Sequence, residues 1–117
     1  MTVKQGADIT NIHPDLYKVL GILDGLWGLH FTLDTDGMTV TSGHEESSKH
    51  KDFSKHYIKN CKSGYGEAVD IRIKDVPQSE VFLIRSHLWE LCKKRLITIK
   101  TFEEGVFTEN AHLHIQL

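Results

Sequence analysis

The sequence predicts an α+β fold, a small antiparallel sheet packed with helices, in one domain covering residues 1–117. Three observations predict it. Two segments carry apolar residues at helical spacing, and several short segments alternate apolar and polar residues as half-buried strands do. Along the second half the order is strand, helix, strand, strand, which suggests an α+β sandwich of a small antiparallel sheet with helices. The length of 117 residues fits one core, and 39% hydrophobic with 26% charged residues is the composition of a globular chain.

Residues 1–12 read as a polar lead with no apolar run of the signal-peptide kind. "HPDLYKVLGILDGL" follows as a helix. Pro14 suits a first turn, Asp15 sits where the helix dipole favours an anion, and Leu16, Val19, Leu20 and Leu23 form one stripe. Gly25 and Gly28 leave the end of this helix open, and Trp27 is expected in the core. "DTDG", residues 34–37, is a turn signal. "MTVTSG" is a short strand with Met38, Val40 and Ser42 on one face and Thr39 and Thr41 on the other. Residues 43–66 read as one long polar loop, of a length that usually marks function or motion.

"EAVDIRI" alternates cleanly. Val69, Ile71 and Ile73 are its core face, leaving Ala68, Asp70 and Arg72 on the other. "DVPQ" ends this strand. "SEVFLIRSHLWELCKKRL" is the second helix, with Ser79 as cap and Val81, Ile84, Leu88, Leu91 and Cys92 as the buried stripe. Lys93, Lys94 and Arg95 suit its C-terminal end. "ITIKTF" and "AHLHIQL" are the last two strands, joined around "EEG".

A formal net charge of -2 and the lack of a basic block argue against a nucleic-acid partner. Cys61 and Cys92 are far apart and form no C-x-x-C pair, so a disulfide framework and a four-cysteine zinc site are both unexpected. No run approaches the ~18 apolar residues of a membrane span. The expectation is a monomer made in the cytoplasm without a signal peptide.

Eight histidines are the compositional oddity. His112 and His114 are two apart, so in a strand they share a face opposite Leu113, Ile115 and Leu117. Asp70 likewise lies on the non-core face of its strand. Zinc takes histidine nitrogen and aspartate oxygen, and a catalytic zinc keeps three protein ligands. His114, Asp70 and one loop histidine would supply that set. Glu109, at the entrance of the last strand, could serve as general base, and His112 could orient a water or stabilise an oxyanion. The plainer reading of the same residues is a solvated H-x-H face and an Asp70 ion-paired with Arg72.

The pieces "SKHY", "GEAVDIR" and "HLHIQ", taken together, resemble the M15-type zinc peptidases. These are the D-Ala-D-Ala carboxypeptidases and L-alanyl-D-glutamate endopeptidases of peptidoglycan stem peptides, whose fold is shared by the Hedgehog signalling domain. Ser54 and His56 match the family's S-x-H, and Gly66, Ala68 and Asp70 match G-x-A-x-D. Glu109, His112 and His114 match the distal motif. The likeness spans residues 38–117. It implies zinc held by His56, Asp70 and His114, with Glu109 as general base and His112 and His50 as transition-state helpers.

The likeness further implies a Hedgehog/DD-peptidase-like fold and a peptidoglycan peptide as substrate. The setting would be a phage endolysin or tail-associated lysin, or a bacterial relative, acting on the cell wall once released by another route. The alternative within the same fold is a catalytically idle zinc-binding interaction module. Two departures stand out. "IKNCKSG", residues 58–64, widens the gap between His56 and Asp70 to about twice the family spacing, and it keeps His50, itself preceded by "SSK", as the alternative first ligand. His44 stands where many relatives carry an arginine that grips a substrate carboxylate; His44 and Arg72 are the candidates for that role here.

Overall fold

The computed structural model of the chain describes residues 1–30, 37–44, 54–74 and 76–117. Most of the 34–37 turn signal, and His50, lie outside the described residues. In chain order the elements are β1 (Thr2–Val3), α1 (Pro14–His30), β2 (Thr39–Ser42), a 3₁₀ turn at Ile58–Asn60, β3 (Ala68–Arg72), α2 (Gln78–Lys94), β4 (Lys100–Glu104) and β5 (His112–Gln116). The five strands form one sheet in the order β1-β2-β3-β5-β4.

Three of the four pairings are antiparallel, but β1 runs parallel to β2, so the sheet is mixed rather than purely antiparallel. The polar lead thus contributes a strand that the sequence did not signal. With two residues, both exposed, β1 carries no alternation to read. Beyond it the lead is tied down as well: Ile12 is buried, and isolated bridges join Asp8 to His44 and Ile12 to Gly66.

The core lies between the helices and one face of the sheet. Leu16, Val19, Leu20, Leu23 and Trp27 of α1 meet Val81, Ile84, Leu88 and Cys92 of α2 and the inward residues Val40, Val69, Ile71, Leu113 and Ile115. The expected stripes are therefore the buried ones, except that Leu91 is half-buried at the edge. Burying this apolar surface is the main term holding the two layers together. α1 continues through Gly25 and Gly28 to His30. Ser79 does not cap α2: the helix starts at Gln78 after Pro77, which places Ser79 inside the first turn with no side-chain cap bond. Both cysteines are free thiols, and among the described residues no helix is long and apolar enough to cross a membrane.

One irregularity matters for the site. Val40 opposes Ile71, but Ser42, two residues on, opposes Asp70, only one residue back. The extra residue at Thr41 is a β-bulge, which breaks the period of two. Ser42 is thereby paired with Asp70 of the non-core face instead of following Val40 towards the helices, which corrects the simple alternation expected of "MTVTSG".

Candidate metal centre

The face of the sheet away from the helices is organised by register. On β3 and β5, Asp70 opposes His114 and Arg72 opposes His112. On β4 and β5, Phe102 opposes His114 and Glu104 opposes His112. Two rows of side chains result, Asp70–His114–Phe102 and Arg72–His112–Glu104, all polar but Phe102. Opposed residues on adjacent strands stand close enough for their side chains to touch.

The third partner comes from the segment after residue 53. Its local chemistry explains the motif residues one by one. The Ser54 hydroxyl accepts the His56 backbone N–H at 3.1 Å, a serine turn that fixes the direction of the chain at the histidine. Asn60 Nδ2 donates to Ser54 O at 2.8 Å, Lys55 Nζ to Asn60 O at 2.7 Å, and Cys61 Sγ to the Lys55 and Tyr57 carbonyls at 3.3 Å each. The 58–64 insertion therefore folds onto its own stem, and the Glu67 N–H returns to Lys55 O at 2.9 Å. The long spacing between His56 and Asp70 is absorbed without moving His56 off the sheet. At Gly66 a Cβ would lie 3.2 Å from His44 Cβ and 3.5 Å from His56 O, so the motif glycine admits a close approach of backbone.

His56, Asp70 and His114 meet. Their donor atoms lie within 4.8 Å of one another. His56 Nε2 is 3.3 Å from Asp70 Oδ2, and His114 Nδ1 is 2.9 Å from Asp70 Oδ1. The two imidazoles stand edge to face with centroids 5.2 Å apart, and Phe102 leans against His114 at 6.0 Å. The outer nitrogen of each ring is held by an oxygen. His56 Nδ1–H donates to Gly43 O at 2.7 Å, and His114 Nε2–H donates to Gln116 Oε1 at 2.9 Å. Such bonds fix the tautomer and turn the inner nitrogen towards the shared point, as around metal-ligating histidines.

Burial pushes the Asp70 carboxyl up, but hydrogen bonds from His114 and His56 and the charges of His56 and His112 outweigh it and hold the group well below the usual carboxylate range. Burial pushes His114 down, but its bonds to Asp70 and Gln116 win and raise it above its ordinary 6.5.

The other candidates fall around this triad. His112 Nε2 is 3.9 Å from Asp70 Oδ2 but closer, at 3.0 Å, to Glu104 Oε2, and its Nδ1–H donates to Asn110 O at 2.7 Å. Glu109 is exposed, with Oε2 2.6 Å from Lys74 Nζ; that hydrogen bond and charge lower its carboxyl below 4.5. Asp70, Arg72, Glu109 and His112 line one cleft of ≈ 420 Å³, with Lys4, Thr41 and Ser42 on the opposite side of Asp70. His44 is buried behind His56, its Nδ1–H 3.3 Å from the His56 carbonyl oxygen, and is not among the described residues lining the cleft. Its place is that of a support for the ligand loop rather than of a substrate contact. Sequence reasoning missed Gly43, Glu104, Lys74 and Gln116. Of these only Gln116 left a signal, since it continues the His112–His114 face by one more step of two.

A carboxylate between two oriented imidazoles is a donor set suited to a divalent cation that keeps an open position. Comparison of the chain with protein-family models, with curated proteins and with solved structures gives no match.

Proposed function

We propose that the chain is a zinc metallopeptidase acting on peptidoglycan stem peptides, as the likeness of its motifs to the M15-type enzymes implies. The observation that carries the reading is the convergence of His56, Asp70 and His114, the three residues that the likeness designates as ligands, on one point. Their chemistry fits zinc: two nitrogens, one carboxylate oxygen, and an acceptor already in place on the far side of each ring. Zinc bound there would supply a Lewis acid for the scissile carbonyl and a bound water acidic enough to react near neutral pH.

The rest falls to the chain's own groups. Glu109, kept ionised at the rim of the cleft by Lys74, accepts the proton of the attacking water and passes it to the leaving amine. His112 faces the same cleft and can turn an N–H from Glu104 to the oxygen that becomes negative. Both steps require a side chain to exchange its present partner for substrate.

That requirement favours a second reading, a zinc-holding interaction module without turnover, in which Glu109 stays with Lys74 and His112 with Glu104. One paired experiment separates them: zinc content by elemental analysis, and muropeptide cleavage by the protein and by Glu109→Ala. One zinc per chain with cleavage that Glu109→Ala abolishes supports the peptidase. One zinc and no cleavage leaves the module. A folded protein that binds no zinc overturns both.

A further inference from the structure

The C-terminal end of α2 breaks two local rules at one residue. The helix is capped by Arg95, and the chain after it folds back on the last turn. The Leu96 N–H donates to Lys93 O at 3.1 Å and the Ile97 N–H to Cys92 O at 2.8 Å. This pattern puts the residue after the cap in the left-handed region, a place that usually falls to glycine. Here it holds Leu96, at φ 57° and 93% exposed. A leucine there strains the backbone, and its side chain packs on nothing in return. Ile97, the next residue, is the one that enters the core.

Leu96 is not an isolated exposure. Phe82 and Trp89 are exposed on α2, and the three residues are seven apart, a spacing that returns to nearly the same side of a helix. They make a ridge about 20 Å long. Between them stand Arg85, held by Thr101 and Glu103, and Lys93, whose ammonium lies 5.0 Å from the centroid of the Trp89 ring. Lys94 and Arg95 extend the charge beside Leu96, and neither has an ion pair or side-chain hydrogen bond among the described residues. From residue 81 to residue 102 the cations are Arg85, Lys93, Lys94, Arg95 and Lys100, and the only acid is Glu90.

We propose that this ridge docks the protein on an anionic phospholipid bilayer. Leu96, Trp89 and Phe82 enter the headgroup region, while Lys93, Lys94 and Arg95 meet the lipid phosphates. Apolar tips with lysine stems laid along them are how an interfacial helix divides itself between lipid and water. The three apolar side chains project singly, with cations between them, and none lines the metal-centre cleft or the groove between the helices. A fluid interface accepts such projections without a matching pocket. A second copy would bring the same excess of cations to an isologous contact. The surface is separate from the metal centre, so it stands or falls apart from the peptidase reading.

The test is vesicle flotation of the purified protein, with phosphatidylcholine alone and with about 30% phosphatidylglycerol added, at low and high salt. Binding should require the anionic lipid, weaken with salt, and shift the tryptophan emission to the blue, a change that Trp89 can give while Trp27 is already buried. Leu96→Gly should bind at least about fivefold more weakly. Its melting temperature should stay or rise, because the left-handed strain is gone. Lys94→Gln/Arg95→Gln should bind about tenfold more weakly or worse and lose much of the salt dependence. Both variants should keep the parent's zinc content. No binding to anionic vesicles, equal binding to phosphatidylcholine, binding without the emission shift, or undiminished binding by either variant would each overturn the proposal. So would a Leu96→Gly protein that melts lower, whose leucine would then serve the fold. Emission shifted by soluble polyglutamate but not by vesicles would make the partner an acidic protein, and a dimer that Leu96→Gly dissolves would make it a second copy; either result overturns the bilayer.

Discussion

Gly43→Ala is expected to damage the fold and the metal centre together. Gly43 is the residue whose carbonyl holds His56 Nδ1, and its neighbour His44 donates its N–H to Asp8 O at 2.7 Å. A Cβ at residue 43 would sit 2.9 Å from the Asp8 carbonyl carbon and closer still to its oxygen. Backbone cannot rotate away as a long side chain can. Forcing a methyl into packed surroundings costs about 1–3 kcal/mol. Losing the Asp8–His44 bond adds about 1 kcal/mol. For 117 residues an unfolding entropy near 0.25 kcal/mol/K converts each kcal/mol into about 4 °C, so the melting temperature should fall by roughly 8–16 °C. Displacing the Gly43 carbonyl also loosens His56, and loss of such a supporting bond typically costs about 10–100-fold in metal affinity. Gly25→Ala is the control. Gly25 lies inside α1 with nothing near its absent Cβ, and it should gain about 0.4–1 kcal/mol, or roughly 2–4 °C. Thermal melts and zinc competition against a chromophoric chelator read both variants. A Gly43→Ala protein that melts and binds zinc like its parent would refute the reasoning.

Other expectations follow from the same geometry. Asp70→Asn should lower zinc affinity by more than about 100-fold and destabilise the metal-free protein by about 1–3 kcal/mol, since it removes the charged acceptor shared by two imidazoles; chelator competition and chemical denaturation measure the two losses. Ser54→Ala should cost about 1 kcal/mol and a smaller part of the zinc affinity, because the His56 N–H loses its acceptor. Lys74→Ala should return the Glu109 carboxyl towards 4.5, visible as a shifted midpoint in a carboxyl NMR titration, while leaving the melting temperature unchanged.

The helices and the inner face of the sheet were legible because burial imposes a period. Leu16, Val19, Leu20 and Leu23, and Val69, Ile71 and Ile73, repeat at the spacings of a helix stripe and a strand face, and those are the residues in the core. His112 and His114 were placed on the outer face by the same logic, and their register with Arg72 and Asp70 makes that face a site. Two kinds of feature left no trace. Contacts made by backbone carry no residue signature: β1 is held by its pairing with β2, and Gly43 contributes only a carbonyl to His56. Interruptions of a period are equally silent, as at Thr41, where one extra residue re-pairs Ser42 with Asp70. The engagement of Glu109 with Lys74 and of His112 with Glu104 depends on which strands become neighbours, which local pattern does not determine.

The pH dependence of stability should have opposite signs with and without zinc, because proton and metal compete for the same nitrogen. In the metal-free protein Asp70 is lowered below 3.8 and His114 raised above 6.5. A lowered acid contributes stability that is present above the unfolded value and lost as pH falls through the folded one. A raised histidine contributes stability that is complete below 6.5 and lost as pH climbs through its folded value. The metal-free protein should therefore be most stable between about pH 4 and 6.5 and weaken towards pH 8. Zinc needs His114 and His56 deprotonated, so the stabilisation it adds should grow over the same rise in pH. Melting temperatures recorded from pH 4 to 9 with chelator and with equimolar zinc should diverge above pH 6.5, falling in the first series and holding or rising in the second. Parallel curves would mean that the proton shared by His114 and Asp70 does not occupy the place a cation would take. The triad would then be a hydrogen-bonded brace between β3 and β5 and not a metal centre.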